Sequence, residues 1–191
     1  HIGRYGKDLL VGHHNGAYRI EGDQAIPIST EIGSWVFLQP RAHPNLLVEG
    51  TYNGLTLYRQ DQNGHWKRSH KLSGFHESSR VMAEDKHGNL WVSHGYKGAF
   101  KITWSDEGDS ILSVSHYGAG KVFPSNQLIN VYNVGNELLF TSEQGVFRYD
   151  SHEDSFLRDP MYSSVFGEQV QLWSVHQDAM NNIYFTGRDQ Y

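Results

Sequence analysis

Cysteine is absent from the 191 residues. That excludes disulfides, thiolate metal sites and a cysteine nucleophile, and it suits either the cytoplasm or an oxidising compartment. Long apolar runs are missing too, and nothing approaches the roughly 20 residues that a membrane-spanning helix needs. Charge is not of one sign: 16 basic and 21 acidic residues give a formal net charge of −5 with no long block of either. Without a basic stripe, direct contact with nucleic acid by these residues is not expected. Proline is scarce, 5 residues against 20 glycines. The chain starts at His1, without Met or a charged start leading into an apolar stretch, and reads as a piece of a longer protein.

What is present is a globular composition, 38% hydrophobic and 13% aromatic. Many glycines and aromatics with few prolines fit short strands and turns better than helices. One pattern also recurs. "NLLVEGTYNGLTLYR" at 45–59, "NLWVSHGYKGAFKI" at 89–102, "ELLFTSEQGVFRYD" at 137–150 and "DLLVGHHNGAYRI" at 8–20 are four copies, and "NIYFTGRDQY" at 182–191 begins a fifth. The central residues Leu10, Leu47, Trp91, Leu139 and Tyr184 are 37, 44, 48 and 45 positions apart, close to the spacing of about 40–50 residues typical of propeller blades.

Each copy is an apolar triplet, a short polar turn that usually holds glycine (Gly16, Gly54, Gly98, Gly145), then an alternating apolar stretch. Glycine tolerates positive φ at a turn, so each copy is a hairpin. "RVMAED" at 80–85, "LINVYNV" at 128–134 and "LWSVHQD" at 172–178 precede their triplets as further strands, and "SILSVSHY" at 110–117 follows one as a fourth. Four antiparallel strands make one propeller blade. A β-sandwich would not repeat one pattern at this period, and an α-helical repeat would space its apolar residues by three and four. The expectation is an all-β fold: a β-propeller segment over 1–191 of about four and a half four-stranded antiparallel blades, 1–34, 35–78, 79–125, 126–169 and a partial 170–191. Propellers close into rings of about 4–8 blades, so a larger ring of about seven is expected. Its open edges would then be covered by further blades or by a second copy of the chain.

"EDKHGNLWVSHGYKGAFKI" at 84–102 resembles the two-component regulator propeller repeat through Asp85, Gly88, Asn89, Leu90, Trp91, Gly98 and Lys101. The other copies depart from it, with Leu47, Leu139 and Tyr184 where tryptophan would stand. The resemblance implies a periplasmic sensor region of an inner-membrane bacterial signalling protein. In that family the blades are followed by a three-tyrosine immunoglobulin-like domain, a membrane span, and a histidine kinase or a DNA-binding output.

Few residues suggest chemistry. Glu84–Asp85 and Glu153–Asp154 are adjacent carboxylates, but neighbours on a strand point to opposite faces and do not form the facing pair of a glycosidase. Turn chemistry explains Asp85 better, its carboxylate accepting backbone N–H groups in "DKHGN". "SDEGDSI" at 105–111 lacks the spacing and the tryptophan of the aspartate boxes found in some propeller hydrolases. Twelve histidines, with His13–His14 adjacent, raise metal binding, yet no ligand set at fixed spacing joins them. No metal and no cofactor is expected. There is no phosphate-binding glycine loop and no recognisable Ser-His-Asp set. Trp91, Phe100, Phe140, Phe147, Tyr184 and Phe185 belong to blade cores, while Trp104 is either exposed or between blades.

Strand direction points to a ligand face. In an up-and-down blade the turn between strands two and three shares one end with the connection to the next blade. That end collects His13, His14 and Asn15, Tyr52 and Asn53, His94, Tyr96 and Lys97, Glu143 and Gln144, and Arg188, together with the connections 71–79, 118–127 and 161–169. Loops on a rigid scaffold are where binding residues concentrate. Aromatic rings beside donors and acceptors suit a carbohydrate or another small polar ligand. The leading expectation is a non-catalytic ligand sensor whose output, membrane attachment and any kinase activity reside in regions outside the segment. The alternatives are a propeller enzyme acting on polysaccharide and a protein-interaction platform, with a homodimer formed through propeller surfaces or edges as a further possible assembly.

Overall fold

A computed structural model describes residues 1–119, 123, 125–135, 137–168 and 170–188, Arg188 by its backbone alone. Each of the four complete sequence copies occupies the middle of one four-stranded antiparallel sheet, and the fifth supplies one strand of a two-stranded sheet. The first sheet is β1 (Ile2–Tyr5), β2 (Asp8–His13), β3 (Gly16–Glu21) and β4 (Gln24–Ser29), in that order. The second is β5 (Val36–Leu38), β6 (Leu46–Thr51), β7 (Gly54–Gln60) and β8 (Trp66–Lys71). β9 (Val81–Glu84), β10 (Leu90–His94), β11 (Gly98–Trp104) and β12 (Ile111–Tyr117) form the third. β13 (Asn130–Val134), β14 (Glu137–Ser142), β15 (Gly145–Asp150) and β16 (Ser155–Arg158) form the fourth, and β17 (Gln171–Gln177) pairs with β18 (Ile183–Arg188). Sequence neighbours pair in every sheet, which is the meander of a propeller blade.

The hairpins have a local cause. Asp85 Oδ1 accepts the N–H groups of His87 and Asn89 (both 2.9 Å), Gly88 N–H bonds to Asp85 O, and Asp85 N–H closes the turn on Asn89 O. Asp85 Oδ2 takes the Trp91 indole N–H at 3.0 Å, so one carboxylate shapes the turn and fixes the core tryptophan. This is the turn role expected of Asp85. The divergent copy at 177–182 builds the same turn: Asp178 Oδ1 accepts Met180 and Asn182 N–H groups, and Asn181 at φ 65 stands where Gly88 has φ 81. Asn is among the few non-glycine residues that tolerate this region.

The chain divides into two compact units, residues 1–82 with 102–114, and residues 83–101 with 115–191. In the first unit Leu10, Ala17, Phe37, Leu47, Tyr58 and Trp66 form a buried cluster with Tyr5 and Ile28 against it. Leu10 and Leu47, the residues that mark the repeat, thus lie in a core contributed by two successive blades. A polar clamp reinforces it: Asp8 accepts Trp66 N–H (2.9 Å) and lies 2.6 Å from His65 Nδ1, while the Trp66 indole donates to Tyr5 O (3.0 Å). Trp104 takes the buried alternative, its ring 5.0 Å edge-on to His43.

In the second unit Trp91, Phe140 and Phe147 are buried as expected, as is Phe100. Trp91 meets Phe140 at 5.0 Å and Tyr149 at 4.6 Å, and Phe140 meets Phe156 at 4.8 Å. Tyr184 and Phe185 depart from the core role, at 57% and 44% exposed. Phe185 rests on Phe166 at 4.4 Å, and Tyr184 directs its hydroxyl to Asp178 at 3.3 Å. The connection expected at 161–169 carries a helix, α1 (Pro160–Phe166). Asp159 caps it by accepting Tyr162 N–H (3.0 Å), Pro160 opens it, and Gly167 at φ 83 ends it. These are the start and stop signals of a short helix.

Candidate functional site

The four described tips between a blade's second and third strands use the same device. The last residue of the incoming strand turns its side chain back to accept the N–H two residues on: His13 Nδ1 from Asn15, Thr51 Oγ1 from Asn53, His94 Nδ1 from Tyr96, Ser142 Oγ from Gln144. The ring nitrogens of His13 and His94 therefore do what hydroxyls do elsewhere, which is structural work of the Ser/Thr-turn kind. His94 is only 9% exposed. After the cap comes glycine. At Gly54 (φ 86) a Cβ would stand 2.3 Å from Phe75 O, so both the dihedral and the close connection to the next blade exclude a side chain.

In the first unit the tips of two blades meet. His14 Nδ1 lies 2.9 Å from Tyr52 Oη with the rings edge to face at 5.4 Å. Tyr52 packs edge-on to Trp35 at 5.2 Å, and the Arg80 guanidinium sits 5.2 Å over the Trp35 ring. The segment between the two sheets is threaded through the cluster: Gly33 N–H bonds to His14 O (2.7 Å), Ser34 N–H to His13 O (3.1 Å), and Tyr52 N–H to Ile32 O (3.3 Å). Gly33 (φ 73) is required, because a Cβ there would fall 2.2 Å from the Tyr52 ring. Tyr52 stays 38% exposed, His14 and Arg80 are exposed, and the buried Trp35 indole N–H has no hydrogen-bond partner among the described residues. The result is an aromatic patch edged by an imidazole and a guanidinium, suited to covering an apolar face of a ligand while donating hydrogen bonds to its polar rim.

Of the expected site residues, His14 and Tyr52 join this cluster, whereas His13 and Asn15 are tied within their own turn and Asn53 is exposed beside it. In the second unit Tyr96 is 75% exposed, Lys97 and Gln144 are exposed, and Glu143 is half-buried. The main-chain carbonyl of Lys97 accepts from His116, and that of Gln144 from Arg158. Arg188 pairs with Gln171 through β18, and its side chain lies outside the described residues, as do positions 120–122, 124, 169, 189 and 190 of the expected loops and connections. Sequence reasoning missed Trp35 and Arg80. The available signal was an aromatic, "GSW", in the connection at 30–35, which belongs to the same end of the blades as the tips.

The adjacent acid pairs have other occupations. Asp85 is committed to its turn, and Glu84 is buried. Asp154 accepts the hydroxyls of Tyr117 (2.6 Å) and Tyr149 (2.5 Å), and those bonds hold its carboxyl below the usual range. A carboxylate so stabilised is a poor proton donor. Glu49 behaves in the opposite way. It is fully buried, accepts Tyr58 Oη–H at 2.8 Å on Oε2, and has no hydrogen-bond partner on Oε1 among the described residues. Burial pushes its carboxyl above the ordinary value.

No family model and no curated protein sequence matches the chain. Solved structures define the class, a β-propeller. The extracellular domain of BT4673 from B. thetaiotaomicron, assigned to the one-component systems, superposes with TM-score 0.63 at 17% identity over 98% of this chain and 26% of its own. The extracellular domain of BT3049 from the same organism, assigned to the hybrid two-component systems, gives 0.57 at 17% identity over 97% and 25%. A catalytically inactive virginiamycin B lyase from Staphylococcus aureus, with quinupristin, gives 0.56 at 14% identity over 96% and 61%. The chain thus spans about a quarter of the length of the first two. At these identities the likeness is one of fold, and the first two structures belong to the class of protein that the repeat resemblance implies.

Proposed function

We propose that the chain is a non-catalytic, ligand-sensing propeller segment of a bacterial extracytoplasmic signalling protein. Its ligand is a small polar molecule, with a carbohydrate the best fit, and its output is a histidine kinase or a DNA-binding region outside these residues. The observation that carries the reading is the cluster of Trp35, Tyr52, His14 and Arg80, built from the tips and connections of two blades. The fold likeness to the extracellular domains of BT4673 and BT3049 supports the sensory class. Detection acts on the output by the ligand binding one arrangement of the protein more tightly than another.

Titration with a panel of neutral and acidic oligosaccharides by calorimetry tests this. A sugar that binds the protein should lose roughly tenfold in affinity in Tyr52→Ala and Trp35→Ala, the scale of one or two aromatic contacts. Unchanged affinity in both variants removes the cluster from the site, and turnover of any sugar in the panel favours an enzyme instead. A Tyr96→Ala, Lys97→Ala double variant asks the same of the third blade's tip.

A further inference from the structure

At the other end of the same strands, the second unit contains a cleft of about 120 Å³ between the β9–β10 turn and the ends of β14 and β15. We infer that this cleft is a second ligand site, for a small molecule bearing a carboxylate or phosphate group. Its charged groups differ in which of them remain uncommitted. Asp85, on one wall, accepts from two backbone N–H groups, from Asn89 Nδ2 and from the Trp91 indole, so its acceptor capacity is filled. Glu137, on the other, is paired with Arg148 at 2.6 Å, and Arg148 also binds the fully buried Asp159.

The donors are different. Lys86 lines the cleft and is exposed, with no ion-pair or hydrogen-bond partner among the described residues. Among the described residues the ring of His87 beside it reaches only Ser151 Oγ, at 3.4 Å, a long contact that an incoming oxygen would improve on. Asp85 and Glu137 keep their negative charge, matched in number by Arg148 and Lys86, so the open donors Lys86 and His87 are what the cleft offers an oxyanion, and charge-assisted bonds to such a group are the stronger kind. Leu138 and the ring of Tyr149 supply an apolar surface for a short carbon skeleton. The volume is well below the roughly 300 Å³ at which pockets for drug-sized ligands begin, so the occupant is orthophosphate or a short organic acid rather than an oligosaccharide. This site shares no residue with the His14–Tyr52 cluster, and its test is independent of that proposal.

Inorganic phosphate and lactate, each titrated at ionic strength held constant with sodium chloride, separate the two sources of the oxyanion. The readout is the backbone amide NMR shift at residues 86, 87 and 151. At least one probe should saturate these shifts while amides at residues 14 and 52 stay still. Lys86→Ala should weaken that binding about tenfold, the order expected for losing one charge-assisted contact, with the spectrum elsewhere unchanged because Lys86 is exposed. Saturation by phosphate alone or by lactate alone names the ligand class. Linear, non-saturating shifts with both probes overturn the proposal, as does equal affinity in Lys86→Ala.

Discussion

Glu49 and Tyr58 occupy opposing strands of the second blade, and neither group is free to behave as it would in water. Glu49 is deprived of solvent. The groups that act on it are the Tyr58 and Ser34 hydroxyls, which favour the carboxylate, the repelling Glu31 carboxylate and the Arg68 guanidinium. Burial is the largest influence and raises its pKa, so between the unfolded value, near 4.5, and the raised folded value the native state binds the extra proton. Stability from this group is therefore fully present below about pH 4.5 and is lost as pH rises towards the folded value. Glu49→Gln has no such titration. Urea denaturation from pH 4 to 8 should show wild type losing stability relative to Glu49→Gln as pH rises; parallel curves would mean that the carboxyl ionises freely in the fold.

At the scale of the element, the Asp85 turn is the most consequential local structure. Asp85→Ala would leave the N–H groups of His87 and Asn89 and the buried Trp91 indole without their acceptor, and hydrogen bonds to a charged group are individually strong. The expected cost is about 3 kcal/mol, visible as a lower urea midpoint with an unchanged slope. Asp178→Ala removes the same pattern from a more exposed turn, with no buried tryptophan attached, and should cost distinctly less. Equal effects would show that turn formation alone, rather than attachment of the core tryptophan, sets the energetics. The turn was legible in "DKHGN" because its partners lie within a few residues of one another. In "QDAMNN" the glycine signal is replaced by Asn181, and the equivalence appears only in the backbone. Helix α1 is a comparable case: "DP" and the glycine at 167 are its boundary signals, but seven helical residues inside an all-β repeat leave little periodicity to read.

Over the whole molecule, the phenols act together. Tyr5, Tyr58, Tyr117, Tyr149 and Tyr162 are all raised, in each case chiefly by burial, Tyr5 to about 12. Tyr5 Oη–H donates to Phe37 O at 2.8 Å, a bond its phenolate cannot make. A raised folded pKa means stability that is intact below the ordinary value near 10 and falls as pH rises through the folded one. Melting temperature should therefore drop between about pH 10 and 12, with phenolate absorbance lagging behind free tyrosine until unfolding. Tyr5→Phe should blunt the drop, and phenolate forming as readily as in free tyrosine would refute the burial argument. The first unit contributes Tyr5 and Tyr58 and the second the other three, so both should loosen over the same range.

By itself the sequence determined the period, the four-stranded meander and the residues at blade centres. Leu10, Leu47, Trp91 and Leu139 recur at blade spacing, and alternation along a strand is a property of near neighbours. Only the tertiary structure decided which tip residues meet a neighbouring blade's tip and which cap their own turn. His13 and His14 are adjacent in the chain, yet one closes its own turn while the other meets Tyr52, 38 residues away. Trp35, Arg80 and the Lys86 cleft were invisible for the same reason: each depends on how one blade's turns pack against the next, and a repeat predicts that blades are alike, whereas a site is made where neighbouring blades differ.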